Sequence, residues 1–240
     1  LNHLSEQVML PDGSRYWLGC EERTDGEIHL EGMEYLREFR LEAGLPVWVF
    51  DIKGVLLEKR ILLIHLQNTV HVSYRLLTGQ SPVRLRLQPS VHFRPHEAPV
   101  NTLIDEPYVI TAVDNHYEVS TKNFPPLRLK IEGQRAKFTL ESRMIKNTFF
   151  RIESRRGYES IGDLWSPGYF KVDLHLENFA TLIASTENWE TIKALNPLEA
   201  INVEKERRNQ ILINAPPPAR GGIGGELVLA ADQFIITPSS

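Results

Sequence analysis

The sequence predicts an all-β protein, built as a large antiparallel two-sheet β-sandwich with one helix near the carboxyl end. Many short segments alternate apolar and polar residues with period two, and Gly, Pro, Asn and Asp separate them at short spacing. More than ten such segments are present. A single open sheet of that width would curl or split, whereas two packed sheets accommodate the strands in one domain.

The chain is organised around a predicted antiparallel meander over residues 35–93. Residues 61–66 and 70–77 flank Gln67 and Asn68, and Asn tolerates the left-handed backbone that a two-residue hairpin turn needs. One face of each strand in such a meander is buried, so a second layer must cover it. The rest of the chain is expected to supply that layer.

Two further turns are predicted from Pro and Gly residues. Residues 78–82 form a turn before the alternating segment 83–87, which Pro89 should end. After residue 126, the segment 127–132 alternates, Gly133 turns the chain, and residues 136–140 alternate back. Other predicted strands cover residues 1–10, 15–20, 149–152, 170–176 and 180–185, with a hairpin over 108–119 that turns at Asp114 and Asn115, a loop or irregular strands at 21–32, and a loop at 157–169.

One helix is predicted at about residues 197–212. Asn196 is a good N-cap, Pro197 suits the first helical position, and Glu199 places negative charge at the positive end of the helix. A Pro- and Gly-rich linker at 215–225 and a final strand at 227–236 complete the prediction, with residues 1–240 as a single domain.

Composition limits the classes of partner and compartment. A net charge of −4 gives no electrostatic reason to expect nucleic acid or an anionic membrane as a partner. No apolar run approaches the roughly 20 residues needed to span a bilayer. The single Cys20 cannot form an intramolecular disulfide and fits a reducing compartment, so a cytoplasmic location is expected.

Neither a metal ion nor another cofactor is expected. His92 and His96 would suit one face of a helix, but Pro95 between them opposes a helix. His65 and His71 would approach each other across a hairpin, yet no third ligand lies nearby in the sequence. The glycine run at 221–225 lacks a following Gly-Lys-Ser/Thr and is not a phosphate-binding loop.

Two carboxylate pairs could supply an acid and a base for glycoside hydrolysis, but a non-catalytic interpretation is favoured. The pairs are Asp105 with Glu106 and Asp114 with Glu118. In a chain with 31 acidic residues, we expect these to be solvated loop charges. No Gly-x-Ser-x-Gly segment is present, and no catalytic residue is assigned.

The loop around Trp165 is the best candidate for ligand binding. An aromatic side chain can pack on the apolar face of a sugar ring while a carboxylate accepts hydrogen bonds from its hydroxyls, which gives Trp165, Tyr169 and Asp163 a role. Alternatively, Trp165 closes the end of the sandwich, because Trp is usually well buried. On sequence alone, this packing interpretation is favoured over ligand binding.

Several motifs, in this order, resemble the N-terminal domain of microbial glycogen debranching enzymes of the amylo-α-1,6-glucosidase type. The resemblance covers nearly the whole chain, and its specificity comes from the order and spacing of motifs that are each weak alone. The motifs are EFRL at 38–41, LEKR at 57–60, HLQNTV at 65–70, VSYRLL at 72–77, VRLRLQP at 83–89 with Phe93 and Arg94, DLWSPG at 163–168 and LAADQF at 229–234.

The resemblance implies a large sandwich of the galactose-mutarotase-like kind, followed in the family by an α/α barrel that carries the hydrolytic carboxylates. The barrel is expected to be absent from these 240 residues, and the sandwich to lack one or two strands at its start. The whole enzyme would remove the single glucose left at an α-1,6 branch of glycogen. This chain is expected to be inactive alone, to support the barrel, and to contact α-glucan through Arg94, Asp163, Trp165 and Tyr169.

Two alternatives come from other classes. A free-standing sugar-active enzyme resembling aldose mutarotases would need a His acid and a carboxylate base in one sheet's concavity, for which His92, His96, His116 and Glu118 are the candidates. A structural interaction module without glycan affinity is the third interpretation.

Overall fold

The protein is an antiparallel β-sandwich, described by a computed structural model over residues 1–19, 21–22, 28–29, 31–79, 82–104 and 107–234. Its two large sheets have five and eight strands. The strands are β1 (His3–Met9), β2 (Arg15–Trp17), β3 (Glu21–Glu22), β4 (Ile28–His29), β5 (Leu36–Glu42), β6 (Leu45–Ile52), β7 (Val55–Leu63), β8 (Thr69–Thr78), β9 (Val83–Ser90), β10 (Val109–Val113), β11 (His116–Ser120), β12 (Leu127–Glu132), β13 (Gln134–Phe149), β14 (Ile161–Leu174) and β15 (Phe179–Ser185).

Helices are few and lie mainly in the last quarter of the chain. They are α1 (Glu31–Tyr35), α2 (Arg151–Arg155), α3 (Trp189–Lys193), α4 (Pro197–Asn214), a 3₁₀ turn at Pro217–Ala219, and α5 (Gly222–Asp232). None of the helices in the described ranges is long and apolar enough to cross a lipid bilayer.

The order of strands differs from a continuous meander. The smaller sheet runs β13-β14-β9-β1-β2, and the larger one runs β10-β11-β12-β15-β8-β7-β6-β5. Strands β5 to β8 are consecutive neighbours, as the meander prediction requires, but β9 crosses to the smaller sheet. The expected hairpin of β12 with β13 is also wrong, because β12 pairs with β11 and β15 while β13 pairs with β14. Alternation identified these strands but carried no information about which sheet each one joins.

Two hairpin turns show where local turn chemistry decided the backbone and where it did not. Asp114 adopts a φ of +53° between β10 and β11, which confirms the turn predicted there. Between β7 and β8 the left-handed residue is Leu66, with a φ of +58°, rather than Asn68. The amide of Ile64 still donates to the carbonyl of Thr69 at 3.0 Å, so the connection is longer than the two-residue turn predicted from Gln67 and Asn68.

Pro89 lies inside β9, although it was expected to end this strand. It faces Leu4 of β1 on one side, and on the other side β14 makes no ladder pairs between Leu87 and Val91. Three residues separate Leu87 from Val91, whereas four separate their partners Phe170 and Trp165, so β14 carries a β-bulge. Proline has no amide hydrogen to donate to a neighbouring strand. Pro89 is tolerated here because β14 makes no ladder bond at this position.

Gly168 makes the bulge in β14 feasible. Its φ of +143° favours glycine, and a Cβ at this position would lie 2.1 Å from the carbonyl oxygen of Thr139. Residues 157–169 were expected to form a loop, but residues 161–169 belong to β14. The predicted strand at 149–152 is also wrong, since α2 begins at Arg151.

The core fills the space between the two sheets. Apolar side chains alternate inward along the strands of both sheets, and Phe170, Leu85 and Leu129 are fully buried there. One ion pair crosses this core, because Glu6 of β1 accepts a hydrogen bond from Lys59 of β7 at 2.7 Å and another from the hydroxyl of Tyr74. Burial raises the pKa of Tyr74 well above its ordinary value, so the hydroxyl keeps its proton.

Helix α4 packs on the outer face of the larger sheet. Asn196 and Glu199 form a capping box that begins the helix at Pro197. Ala200 and Ile201 are buried against Leu45 and Leu62 of the sheet. The late helix is thus part of the sandwich assembly.

The segment after α4 differs from its prediction. The 3₁₀ turn and the start of α5 occupy the expected linker, and α5 occupies most of the expected final strand, so both predictions are wrong. An apolar run such as residues 227–236 does not distinguish strand from helix by periodicity. Here Arg207 of α4 binds Asp232 at 2.7 Å and holds α5 against α4. A single domain over residues 1–240 stays a prediction.

Candidate functional site

The bulge in β14 places Trp165 and Tyr169 on opposite faces of the smaller sheet. Phe170 faces the core, so its neighbour Tyr169 faces outward. The extra residue changes the phase of the strand, and Trp165, four positions earlier, packs against the core. The predicted ligand-binding loop therefore does not form one site.

Trp165 belongs to an aromatic cluster at the edge of the core. Its ring lies edge-on to Tyr108, with centroids 5.3 Å apart, and Tyr108 in turn contacts Phe93 at 5.2 Å. The amide of Phe93 donates to the Tyr108 hydroxyl at 2.9 Å. Burial raises the pKa of Tyr108, which keeps the hydroxyl protonated. This arrangement gives Trp165 a packing role.

Arg94 and Asp163 each bind a backbone group, Arg94 in its own loop and Asp163 at an irregularity in β13. The guanidinium of Arg94 donates to the carbonyl of Ala98. The carboxylate of Asp163 accepts the amide of Asn147 at 3.0 Å, where Asn147 has a φ of +58°. Both side chains thus have backbone partners, whereas Tyr169 lines a groove.

Tyr169 lines a groove of about 340 Å³ on the outer face of the smaller sheet. The groove is lined by four cations, one carboxylate, one aromatic ring, one amide side chain and one methionine. Its lining residues are Gln7, Met9, Arg15, Arg84, Arg86, Glu141, Tyr169 and Lys171.

Cations surround the ring of Tyr169. The guanidinium carbon of Arg86 lies 3.9 Å from the ring centroid and the Nζ atom of Lys171 lies 5.1 Å from it. A hydrogen bond with Thr139 lowers the pKa of Tyr169, and the charges of Lys171 and Arg86 lower it further. The groove is therefore a region of positive potential.

The carboxylates near the groove differ in how closely they approach the cations that line it. Asp173 is buried and accepts two hydrogen bonds from Arg84, at 2.6 and 3.2 Å. This hydrogen bonding to Arg84 lowers the pKa of Asp173 and outweighs the effect of burial. Glu141 lies 3.6 Å from Arg86, beyond ordinary hydrogen-bond length. Within the described part of the chain, Arg15 and Lys171 have no carboxylate at ion-pair distance.

The other buried carboxylates of the described ranges are bound by cations too. Burial alone would raise the pKa of Glu58, but hydrogen bonds from Arg60 and Arg75 hold it below its ordinary value. In the same way, Arg207 and Arg208 hold the pKa of Glu204 low despite its burial. Ionised carboxylates of this kind are structural ion-pair partners rather than proton donors.

The histidine and carboxylate candidates of the mutarotase alternative lie in different places. His92 follows β9 of the smaller sheet, and its amide donates to Asn2 at 2.7 Å. His116, on β11 of the larger sheet, packs edge-on against Trp189 with ring centroids 4.4 Å apart. Glu118 forms an ion pair with Arg128 at 3.1 Å. His92 and Glu118 therefore belong to different sheets.

The remaining candidates are scattered. His96 and His65 are exposed, His71 is buried on β8 of the larger sheet, and Asp114 is exposed at a hairpin tip. Asp105 and Glu106 lie outside the described residues. Among the residues that the structure describes, no group of three or more His, Cys, Asp and Glu side chains is placed to hold a metal ion.

A smaller cavity of about 190 Å³ lies between α4 and the larger sheet. The hydroxyls of Ser73 and Thr181 bond to each other at 2.9 Å at its base. Asn196, Pro197, Leu198 and Ile201 of the helical layer close its other side. Because its hydroxyls satisfy each other, this cavity offers a ligand less than the groove does.

The sequence of this chain matches the model of a known protein family. A family model described as glycogen debranching enzyme N terminal matches residues 1–181. The chain belongs to this family. The matched region contains both large sheets up to the middle of β15, including every lining residue of the groove. A search of curated proteins gave no significant match.

The sequence analysis missed most of the groove. Arg84 and Arg86 stand at the polar positions of an alternating segment, and Lys171 stands likewise beside the buried Phe170 and Val172. Alternation indicates that these side chains face outward, which is a usable signal. That β9 and β14 are neighbours, and so bring the cations together, is not visible in the sequence.

Proposed function

We propose that this chain is the non-catalytic N-terminal β-sandwich of a glycogen debranching enzyme. In this proposal it supports an α/α barrel and contacts α-glucan through the groove at Tyr169. The whole enzyme would hydrolyse the glucose at α-1,6 branches, in a cytoplasmic location. Membership of the family supports the link to glycogen debranching.

The protonation of the buried carboxylates supports a non-catalytic role. A glycosidase needs a general acid whose pKa is raised by its surroundings. Glu58, Asp173 and Glu204 have lowered pKa values because guanidinium groups bind them. These three carboxylates are therefore ionised at neutral pH, so they form ion pairs and have no proton to donate.

The groove is the observation that carries the glucan contact. Sugar-binding sites combine an aromatic surface with polar side chains that bond to hydroxyl groups. Tyr169 and Met9 supply the apolar surface, while Gln7 and Arg86 supply polar atoms. Of the four residues expected to contact glucan, Tyr169 is the one that retains this role in our proposal.

The helical layer supports the proposed contact with a barrel. Helices α4 and α5 leave large apolar side chains exposed, and such surfaces mark contacts with other protein elements. The exposed fraction reaches 81% for Ile223 and 65% for Leu227. A barrel made of helices is a suitable partner for this surface, since its own helices carry apolar stripes.

Affinity electrophoresis in gels with and without glycogen tests the glucan contact. We expect glycogen to retard the chain, and Tyr169→Ala to abolish most of the retardation without changing thermal stability. Trp165→Ala is the comparison, because loss of core packing should cost about 3–5 kcal/mol of unfolding free energy. Equal mobility with and without glycogen would refute the glucan contact.

Glucose release from a branched limit dextrin tests the non-catalytic role. We expect none from the chain alone. Release of glucose that survives repurification and is lost on substitution of an acidic residue in this chain would overturn it.

A further inference from the structure

The outer face of the smaller sheet carries a row of like charges. Lys137 of β13 lies opposite Lys171 of β14, which lies opposite Arg86 of β9, and the row continues to Gln7 of β1. Opposed residues in an antiparallel sheet have Cβ atoms about 5 Å apart, and like charges at that spacing destabilise the sheet. The chain as a whole carries a net charge of −4, so the row is a local reversal of its charge.

The donors of this row have few acceptors. The Nε atom of Arg86 is shielded from solvent and has no hydrogen-bond partner in the described ranges. Its nearest carboxylate, Glu141, lies 3.6 Å from a terminal nitrogen of the guanidinium. A buried donor without an acceptor is costly, so the guanidinium of Arg86 is not well compensated by its surroundings.

The adjacent cation, Arg84, is held in a fixed orientation beside the groove. Arg84 is oriented by two hydrogen bonds to Asp173, yet its side chain remains 42% exposed towards the groove. Arg15 lines the same groove from β2 and has no ion-pair partner among the described residues. Four cations thus face one groove that contains a single carboxylate, Glu141.

The groove size and its neutral groups define the ligand further. A volume of about 340 Å³ is at the small end of sites for small molecules. It accommodates one sugar ring together with an anionic group. Gln7 and Tyr169 can bond to sugar hydroxyls, and Met9 can pack on the ring.

We propose that this groove binds the phosphate monoester of a hexose, with Arg86 and Lys171 on the phosphate and Tyr169 beside the sugar. A phosphate monoester is a dianion near neutral pH and so neutralises two adjacent cations. The proposal rests on the proposed function for the choice of sugar. The charge row, the distant carboxylate of Glu141 and the groove size support the anion independently.

Isothermal titration calorimetry at low salt, with glucose 6-phosphate as the probe, tests the proposal. We expect saturable binding that weakens as salt is added, because the contact is electrostatic. Glucose and inorganic phosphate, titrated separately, should each bind at least about tenfold more weakly, since each has only part of the interactions.

Matched variants locate the binding. Lys171→Gln and Arg86→Gln should each weaken glucose 6-phosphate binding about tenfold or more, which is the scale of one charge-assisted contact. Lys130→Gln removes the same charge from the larger sheet, where Lys130 is paired with Glu132 at 2.6 Å, and should leave the affinity unchanged. Thermal unfolding of each variant confirms that the fold is intact.

Three outcomes overturn the proposal: no binding of glucose 6-phosphate, binding that matches inorganic phosphate in strength, or equal loss in Lys130→Gln. Binding of an acidic protein or a phosphorylated polymer without binding of the free sugar phosphate also overturns it. Glycogen retardation that persists while glucose 6-phosphate does not bind would leave the proposed function standing. Glucose 6-phosphate binding without glycogen retardation would refute the glucan contact alone.

Discussion

The outer faces of the two sheets differ in how closely their cations are paired with carboxylates. On the larger sheet, buried Glu58 binds Arg60 at 2.7 Å, Arg75 at 2.7 Å and Arg40 at 2.9 Å. Glu42 of β5, two strands away in the same sheet, adds a second carboxylate to this cluster. On the smaller sheet, the opposed cations Lys137, Lys171 and Arg86 have Glu141 as a distant partner at 3.6 Å. The cluster on the covered face is neutralised, whereas this row on the open face is not.

This difference separates structural charges from charges available to a ligand. Where α4 covers the larger sheet, an uncompensated charge would lie in a region shielded from water and would be costly, so each cation has a carboxylate. The open face lies in water, which tolerates the repulsion at a small cost. The cations of the open face repel one another and lie beside a groove, so they are available to bind an anionic ligand.

The largest expected effect comes from breaking the neutralised cluster. Glu58→Gln should lower the free energy of unfolding by about 3 kcal/mol, because three arginines lose their shared, buried partner. Urea denaturation measures this change. Glu141→Gln on the open face is the matched control and should change stability by less than about 0.5 kcal/mol. Equal effects of the two substitutions would contradict the comparison.

A pH-dependent effect of similar size is expected from His71 on the covered face. Its side chain is 1% exposed, and both ring nitrogens lack hydrogen-bond partners within the described ranges. Burial lowers the pKa of His71 to about 4, a shift that Glu132 opposes and Lys130 favours. The folded protein therefore resists the proton that the unfolded chain accepts at its ordinary pKa of about 6.5.

The sign of the His71 effect follows from this difference. The stability is fully present above pH 6.5 and falls as the pH drops towards 4, by roughly 3 kcal/mol at most. Urea denaturation at pH 7, 6 and 5 should show a shallower loss for His71→Leu than for the unmodified chain. His65→Gln, at an exposed position, is the control. A loss as steep in His71→Leu would assign the effect to other groups.

Removing the contact between α4 and the larger sheet has the next largest expected effect. Ile201→Ala should cost about 2–3 kcal/mol, because Ile201 is buried against the sheet. Leu198→Ala, one turn earlier and 54% exposed, should cost less than about 1 kcal/mol. Thermal unfolding distinguishes them, and equal costs would show that the helix does not rely on this face.

The smallest expected effect is a gain in stability on the open face. Lys171→Gln removes the middle charge of the row and should raise the free energy of unfolding by about 0.5 kcal/mol. Lys130→Gln on the covered face should lower it by a similar amount, since Glu132 loses its partner. Opposite signs in paired urea titrations would support the comparison, and a loss in Lys171→Gln would contradict it.

The sequence by itself determined the elements whose signals are local. Period-two alternation identified most strands, because a half-buried strand exposes every second side chain. Asp114 marked a turn because it tolerates the left-handed backbone, and Asn196 marked the start of α4 because its side chain caps the first amide groups. The ordered motifs also identified the family.

Only the tertiary structure decided which residues share a face. The assignment of β9 and β13 to the smaller sheet depends on long-range pairing, which alternation does not encode. One extra residue before Gly168 turns Trp165 inward and Tyr169 outward, and so divides the predicted site. Helix α5 formed where a strand was expected because α4 was there to pack against it. Side-chain pattern is a local property, whereas register and neighbours are set by the packing of the whole chain.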